Sequence, residues 1–270
     1  MGAAFGLGFI FGPYIGGKLS DPTVVSWFDA TTPFWFAAIL SFLNVISVLL
    51  FFPETNKHIL REIKIKWDQS VRNIIHAYSL KQLRIIFLTV FLFQGGFAFF
   101  TTFFSLFLIN RFSFAQGNIG DFFAYVGLWI AFTQAIVTRK ISGKFKEKDI
   151  LNFTLLGAGF VILLYFLPNV WWQLLFIVPF FALCIGLSQA NITALVSKSV
   201  DASIQGEILG INASVQALAQ SIPPVLSGYI AASIAPEAPI YIAAMTILIA
   251  GYIFLLFYKP HVIHQADVEN

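Results

Sequence analysis

The side chains able to do chemistry in this sequence are amides embedded in apolar runs. Gln94, Gln134, Gln189, Asn191, Asn212, Gln216 and Gln220 each stand among Phe, Leu, Ile, Val, Ala and Gly. Asn212, Gln216 and Gln220 are four residues apart, a spacing that stacks them on one face of a helix, and Gln189 shares a face with Thr193 in the same way. A neutral amide donates and accepts hydrogen bonds, so such stripes suit neutral or zwitterionic ligands, with Phe97, Phe99 and Phe100 as apolar walls. They equally suit hydrogen bonds between neighbouring helices, and both readings stand for each amide. Catalysis is not indicated, because no His, Asp, Glu or Lys cluster lies within an apolar run. Asp121 and Glu207 fall near the ends of runs, Asp149 and Asp201 lie in polar segments, and His58, His76, His261 and His264 lack metal-ligand spacing. Cys184, inside an apolar run, reads as an inert buried thiol. No enzyme activity, cofactor, metal or nucleic-acid partner is expected; the partners are a small-molecule substrate and the lipid bilayer.

The elements that must position these amides are set by composition. Of 270 residues, 58% are hydrophobic and 11% charged, with 32 Phe, too little charge to coat a soluble domain of this size. Eight apolar runs stand out: Gly2–Leu19, Phe34–Phe52, Leu83–Leu108, Phe122–Thr138, Ile150–Leu167, Trp171–Val196, Ile208–Ile234 and Pro239–Tyr258. A hydrocarbon core about 30 Å thick is crossed by roughly 20 residues of helix, and lipid offers the backbone no hydrogen bonds. The fold class is therefore all-α, a polytopic membrane protein with eight transmembrane helices. The amides fall in the third, fourth, sixth and seventh runs and are missing from the eighth, while the fifth holds only Asn152 at one end.

The connections alternate in charge. Fourteen of the sixteen Lys and Arg fall on one side, and only Lys18 and Arg111 on the other. The basic side is expected to be cytoplasmic, with both termini inside and the chain in the inner (plasma) membrane. Within the long basic loop, Val71, Ile74, Ile75 and Tyr78 have the spacing of an amphipathic helix resting on the membrane surface, or of a simple tether.

An internal repeat links the ends of the chain. "PFWFAA" (Pro33–Ala38) opens the second run and "PIYIAA" (Pro239–Ala244) the eighth, while "GPYIGG" (Gly12–Gly17) in the first meets "PPVLSG" (Pro223–Gly228) in the seventh. The repeat unit is then six helices. The first unit here holds only its last two, a third of a bundle, as in a chain whose first four helices are missing.

"GFIFGPYIGG" (Gly8–Gly17) resembles the antiporter motif G-x-x-x-G-P-x-x-G-G on the fifth helix of the major facilitator superfamily's drug:proton antiporters, and the tetracycline-efflux branch is the most similar in style. Gly8, Gly12, Pro13, Gly16 and Gly17 fall on that pattern; glycines at four-residue spacing make a flat face for close helix packing, and Pro13 bends the helix. "TRKISGKFKEKDIL" (Thr138–Leu151) is similar to a worn copy of the family's gating loop, with Ile141 in the Leu position and Lys144 in the Arg position, while Arg139 and Lys146 replace two glycines. The resemblance implies the major facilitator fold, with this chain as helices five to twelve of twelve. Residues 1–52 become the last two helices of the N-terminal bundle, 53–82 a cytoplasmic central loop, 83–258 the C-terminal bundle and 259–270 a cytoplasmic tail. It implies secondary transport by alternating access, proton-coupled efflux of drugs or metabolites, with the proton-titrating groups on the missing helices and no transport by this chain alone. The alternative is a receptor-like or lipid-handling protein of the same fold that does not transport.

Overall fold

The computed structural model describes residues 2–53, 81–201 and 204–260, and among these the chain is helical with no β-strand. Each apolar run becomes one helix. They are α1 (Gly2–Leu19), α2 (Thr32–Phe51), α3 (Lys81–Phe112), α4 (Gln116–Ser142), α5 (Glu147–Leu164), α6 (Leu174–Lys198), α7 (Gln205–Ser233) and α8 (Ala238–Phe257). His58, His76, His261, His264, the Val71–Tyr78 segment, most of the long loop and most of the tail lie outside the described residues.

Five of these helices, α2, α3, α4, α6 with its leading turn, and α8, are long and apolar enough to cross a membrane by length and composition. The other three of the eight helices are less apolar, each for a local reason. In α1 six glycines and Lys18 dilute the apolar content, α5 opens on Glu147-Lys148-Asp149, and α7 carries the amide stripe. Pro33 and Pro239 stand in the first turns of α2 and α8, where a missing N–H costs nothing.

Helices α3 to α8 form one bundle. Its seam is α8, whose Ile240, Ala243, Ala244, Ile247 and Ala250 are fully buried. Backbones approach closely there: a Cβ on Gly96 of α3 would lie 2.9 Å from the Ala243 carbonyl oxygen, and one on Gly159 of α5 3.0 Å from that of Ala244. Helix α5 thus packs against α6 and α8, and α8 against α3 and α5, while Phe153 and Phe160 on α5 and Tyr241, Met245 and Tyr252 on α8 stay exposed on the outer faces.

The centre of the bundle is aromatic. Phe100 stacks on Phe104 at 4.4 Å and packs against Phe181 at 4.8 Å, and Tyr165 closes the cluster edge-on to Phe104 at 4.9 Å. The Tyr165 side chain is fully buried and its hydroxyl has no hydrogen-bond partner among the described residues. An unmatched buried hydroxyl costs about 1–3 kcal/mol, so Tyr165→Phe is expected to leave stability unchanged or raise it by about 1 kcal/mol. Thermal unfolding in detergent checks this; a clear fall would mean that the hydroxyl has a partner.

Outside the bundle, α1 lies across α4, whereas α2 buries no residue and presents Phe34, Trp35, Phe42, Leu49 and Phe51 outward. The loop joining them is ordered by two carboxylates. Asp21 accepts from the Thr23 amide at 2.9 Å and hydroxyl at 2.7 Å, and Asp29 from the Thr31 amide at 2.8 Å and hydroxyl at 2.7 Å. Those threonine donors hold both carboxyls below the usual carboxylate range. At the same end of the bundle Arg111 closes α3 onto its neighbours, donating to the carbonyls of Phe166 (2.8 Å) and Pro168 (3.3 Å) and pairing with Glu237 at 3.5 Å. Both cations on the poorly charged side, Lys18 and Arg111, therefore have carboxylate partners.

Candidate functional site: a neutral cleft between four helices

A cleft of about 450 Å³ opens where α3, α4, α6 and α7 converge. Its polar lining is Gln94, Thr101 and Thr102 from α3, Gln134 from α4, Gln189 from α6, and Gln216 and Gln220 from α7, with Phe97, Ile130 and Ile185 as apolar walls. Five of the seven amides singled out by sequence meet here. Among the described residues no Asp, Glu, Lys, Arg or His lines the cleft.

Each amide is held differently. Gln94 is buried and its Nε2 donates to Gln189 Oε1 at 3.2 Å, tying α3 to α6. Gln134 belongs to a π-helical turn, Thr133–Val137, which interrupts α4 beside the cleft; its Nε2 donates to the Gly186 carbonyl at 3.2 Å. Such turns widen a helix by one residue and recur at functional sites. Gly186 keeps this crossing close, since a Cβ there would sit 3.0 Å from Thr133 Cγ2 and the threonine would have to yield. Gln216 and Gln220 make no hydrogen bond to another described residue, so both amides are free for a ligand.

Two expected members lie elsewhere. Asn191 is 1% exposed; its Nδ2 donates to the Leu187 carbonyl at 2.8 Å and its Oδ1 accepts from Ser142 Oγ at 3.2 Å, so it ties α6 to α4. Asn212 is buried, its Oδ1 unpaired, and is likewise absent from the lining. On the Phe face, only Phe97 reaches the cleft: Phe100 joins the aromatic core, and Phe99 lines a smaller apolar crevice with Phe91, Gly95 and Pro223. Thr101 went unnoticed although Gln94, Phe97 and Thr101 have the i, i+3, i+7 spacing of one helix face.

The glycine motif of α1 packs through a different edge than its spacing suggests. A Cβ on Gly8, Gly12 or Gly16 would meet no atom within 4 Å. The close contact is made by Pro13 and Gly17: a Cβ on Gly17 would lie 3.0 Å from Gly120 Cα, and one on Gly120 would lie 3.0 Å from the Pro13 carbonyl oxygen. Lys18 secures the crossing with Asp121 at 3.2 Å. Of the worn loop motif, Ile141 lies in the last turn of α4 against an apolar groove with Phe145, Ile150 and Leu183, and Lys144 is exposed, its amide donating to the Ile141 carbonyl at 2.9 Å. Neither lines the cleft.

A family model described as Major Facilitator Superfamily matches residues 1–224. The chain is 32% identical over 235 residues to the tetracycline resistance protein, class H, of Pasteurella multocida, covering 85% of this chain and 56% of that protein. It is 25% identical over 263 residues to the quinolone resistance protein NorA of Staphylococcus aureus, covering 97% of this chain and 64% of that one. The solved structure of the human organic anion transporter MFSD10 (TETRAN) shares the fold, with a TM-score of 0.69 at 21% identity, over 94% of this chain and 62% of that one. The chain thus spans little more than half the length of the curated relatives it matches.

Proposed function

Because this chain belongs to the major facilitator superfamily, we propose that it is the part of a secondary transporter that holds helices five to twelve, and that the transporter exports small organic molecules by alternating access. The observation that carries this reading is the uncharged cleft walled by Gln94, Gln134, Gln189, Gln216 and Gln220 with Phe97. Neutral donors and acceptors on a partly apolar wall bind molecules of varied shape without demanding one charge. In this reading α3–α8 are one six-helix unit that rocks against a second, to which α1 and α2 belong. The α1–α4 crossing lies between the units, the basic loops face the cytoplasm of the plasma membrane, and both termini lie on that side. Proton coupling needs a titratable group with alternating access, and none lines the cleft among the described residues. Coupling is therefore assigned to helices corresponding to the first four of the unit, which also complete the cavity.

Two measurements test this. Cells producing the full reading frame are expected to accumulate less tetracycline than cells without it, and to lose that difference when the proton gradient is collapsed. The 270-residue chain alone, in proteoliposomes, is expected to carry no tetracycline; transport by it would overturn the assignment of half the cavity and the coupling groups to other helices.

A further inference from the structure

One backbone carbonyl in the middle of α7 is deprived of both its intrahelical donors. Within a helix a carbonyl is closed by the N–H four residues ahead, or three ahead in a tighter turn. For Gln220 those residues are Pro224 and Pro223, and proline has no N–H. Adjacent prolines occur once in the sequence, so no other carbonyl loses both donors in this way. The helix nevertheless runs on to Ser233.

The open carbonyl faces the central cleft. Gln216, Gln220 and Pro224 all line it at four-residue intervals, so they share one face of α7. A helical carbonyl points along the axis toward the residue four ahead, which puts the Gln220 oxygen between two lining residues, on the cleft side. The polar side chains nearby are committed elsewhere. Thr101 Oγ1 donates to the Ala98 carbonyl at 3.3 Å and Ser221 Oγ to the Leu218 carbonyl at 2.8 Å, while Gln94 and Gln134 donate to Gln189 and Gly186. Among the described residues no side chain donates to the Gln220 carbonyl. In a membrane-spanning helix such a group is tolerated where it lines a cavity. The carbonyl one residue earlier, that of Ala219, turns away to α3, where a Cβ on Gly95 would lie 3.6 Å from it.

We propose that the Gln220 backbone carbonyl anchors an N–H group of the ligand in the central cleft, and that Pro224 is the specificity-determining residue that keeps it open. This deepens the efflux reading and rests on it. The side-chain amides of Gln216 and Gln220 stand on the same face, so the site presents one fixed acceptor beside groups that both donate and accept. A primary carboxamide is its complement: an N–H bonds to the carbonyl while the oxygen accepts from a glutamine amide. Unlike a glutamine side chain, the backbone oxygen cannot rotate to suit a ligand without a donor. The site therefore selects molecules carrying an uncharged carboxamide over those in which that group has no N–H.

The test compares tetracycline, which carries a primary carboxamide, with its nitrile analogue, in which dehydration of that group has removed both N–H bonds. Binding is measured on the purified product of the full reading frame in detergent. Tetracycline is expected to bind about three- to tenfold more tightly than the nitrile, the worth of one hydrogen bond. In Pro224→Ala the restored N–H closes the carbonyl, so tetracycline should weaken to the level of the nitrile and the preference disappear. Pro223→Ala controls for straightening of α7: it closes the Ala219 carbonyl, outside the cleft, and should keep the preference. Equal binding of the two probes by the unaltered protein, a preference that survives Pro224→Ala, or one lost equally in Pro223→Ala would overturn the proposal. If Gln216→Leu with Gln220→Leu still weakens tetracycline binding, the central cleft keeps its role despite that failure. No tetracycline binding by the unaltered protein, or binding indifferent to the double variant and to Pro224→Ala alike, would overturn the efflux reading and this proposal with it.

Discussion

Gly120→Leu is expected to detach α1 from α4 and to lower the unfolding temperature sharply. The position tolerates no side chain: a Cβ there already lies 3.0 Å from the Pro13 carbonyl oxygen and 3.2 Å from Gly17 Cα. Overpacking a core usually costs about 1–3 kcal/mol because side chains yield; here both neighbours are backbone and the helices must separate. What would remain is the Lys18–Asp121 pair, whose side chains are 36% and 54% exposed, and such an exposed pair contributes about 1 kcal/mol or less. Gly12→Ala is the counterpart. A methyl group there meets open space and improves helix propensity by up to about 1 kcal/mol, so stability should hold or rise. Thermal scans in detergent, with protease sensitivity of the α1–α2 loop, measure both. Equal damage from the two substitutions would return the packing face to Gly8, Gly12 and Gly16.

The second large effect separates binding from folding within one set of amides. If the proposed function holds, the double variant Gln216→Leu with Gln220→Leu is expected to bind tetracycline about tenfold or more weakly, as two ligand-facing hydrogen bonds worth about 0.5–1.5 kcal/mol each are lost. The unfolding temperature should not fall, because neither side chain has a hydrogen-bond partner among the described residues. Asn191→Leu should do the reverse. It removes the acceptor of Ser142 Oγ in a site only 1% exposed, so a loss of about 1–3 kcal/mol in stability is expected, with ligand affinity changed far less. Drug binding and thermal unfolding on the same preparations decide the matter. A destabilised Gln216/Gln220 variant with unaltered binding would mark those amides as interhelical ties.

Sorting helices was within reach of the sequence, whereas sorting faces was not. Counting amides picked out α3, α4, α6 and α7 as the helices that line the cleft and left out α5 and α8, and the lining agrees. Amides are rare in apolar helices, so their presence marks a helix even when its orientation is unknown. Within those helices the rotation about each axis was illegible. Gln189 and Asn191 are two residues apart, yet one lines the cleft and the other locks α6 to α4. Phe97 and Phe100 likewise differ, one at the cleft and the other in the aromatic core.

The amino-acid sequence by itself determined that this is an all-α membrane protein and which helices carry polar groups, because lipid leaves every backbone amide to its own helix and lets few polar side chains in. Only the tertiary structure decided which way each helix turns. In water an apolar stripe reveals the buried face; in lipid both faces are apolar, so the pattern is silent and close packing chooses. That is why Pro13, Gly17 and Gly120 form the α1–α4 contact rather than the more regular Gly8, Gly12 and Gly16.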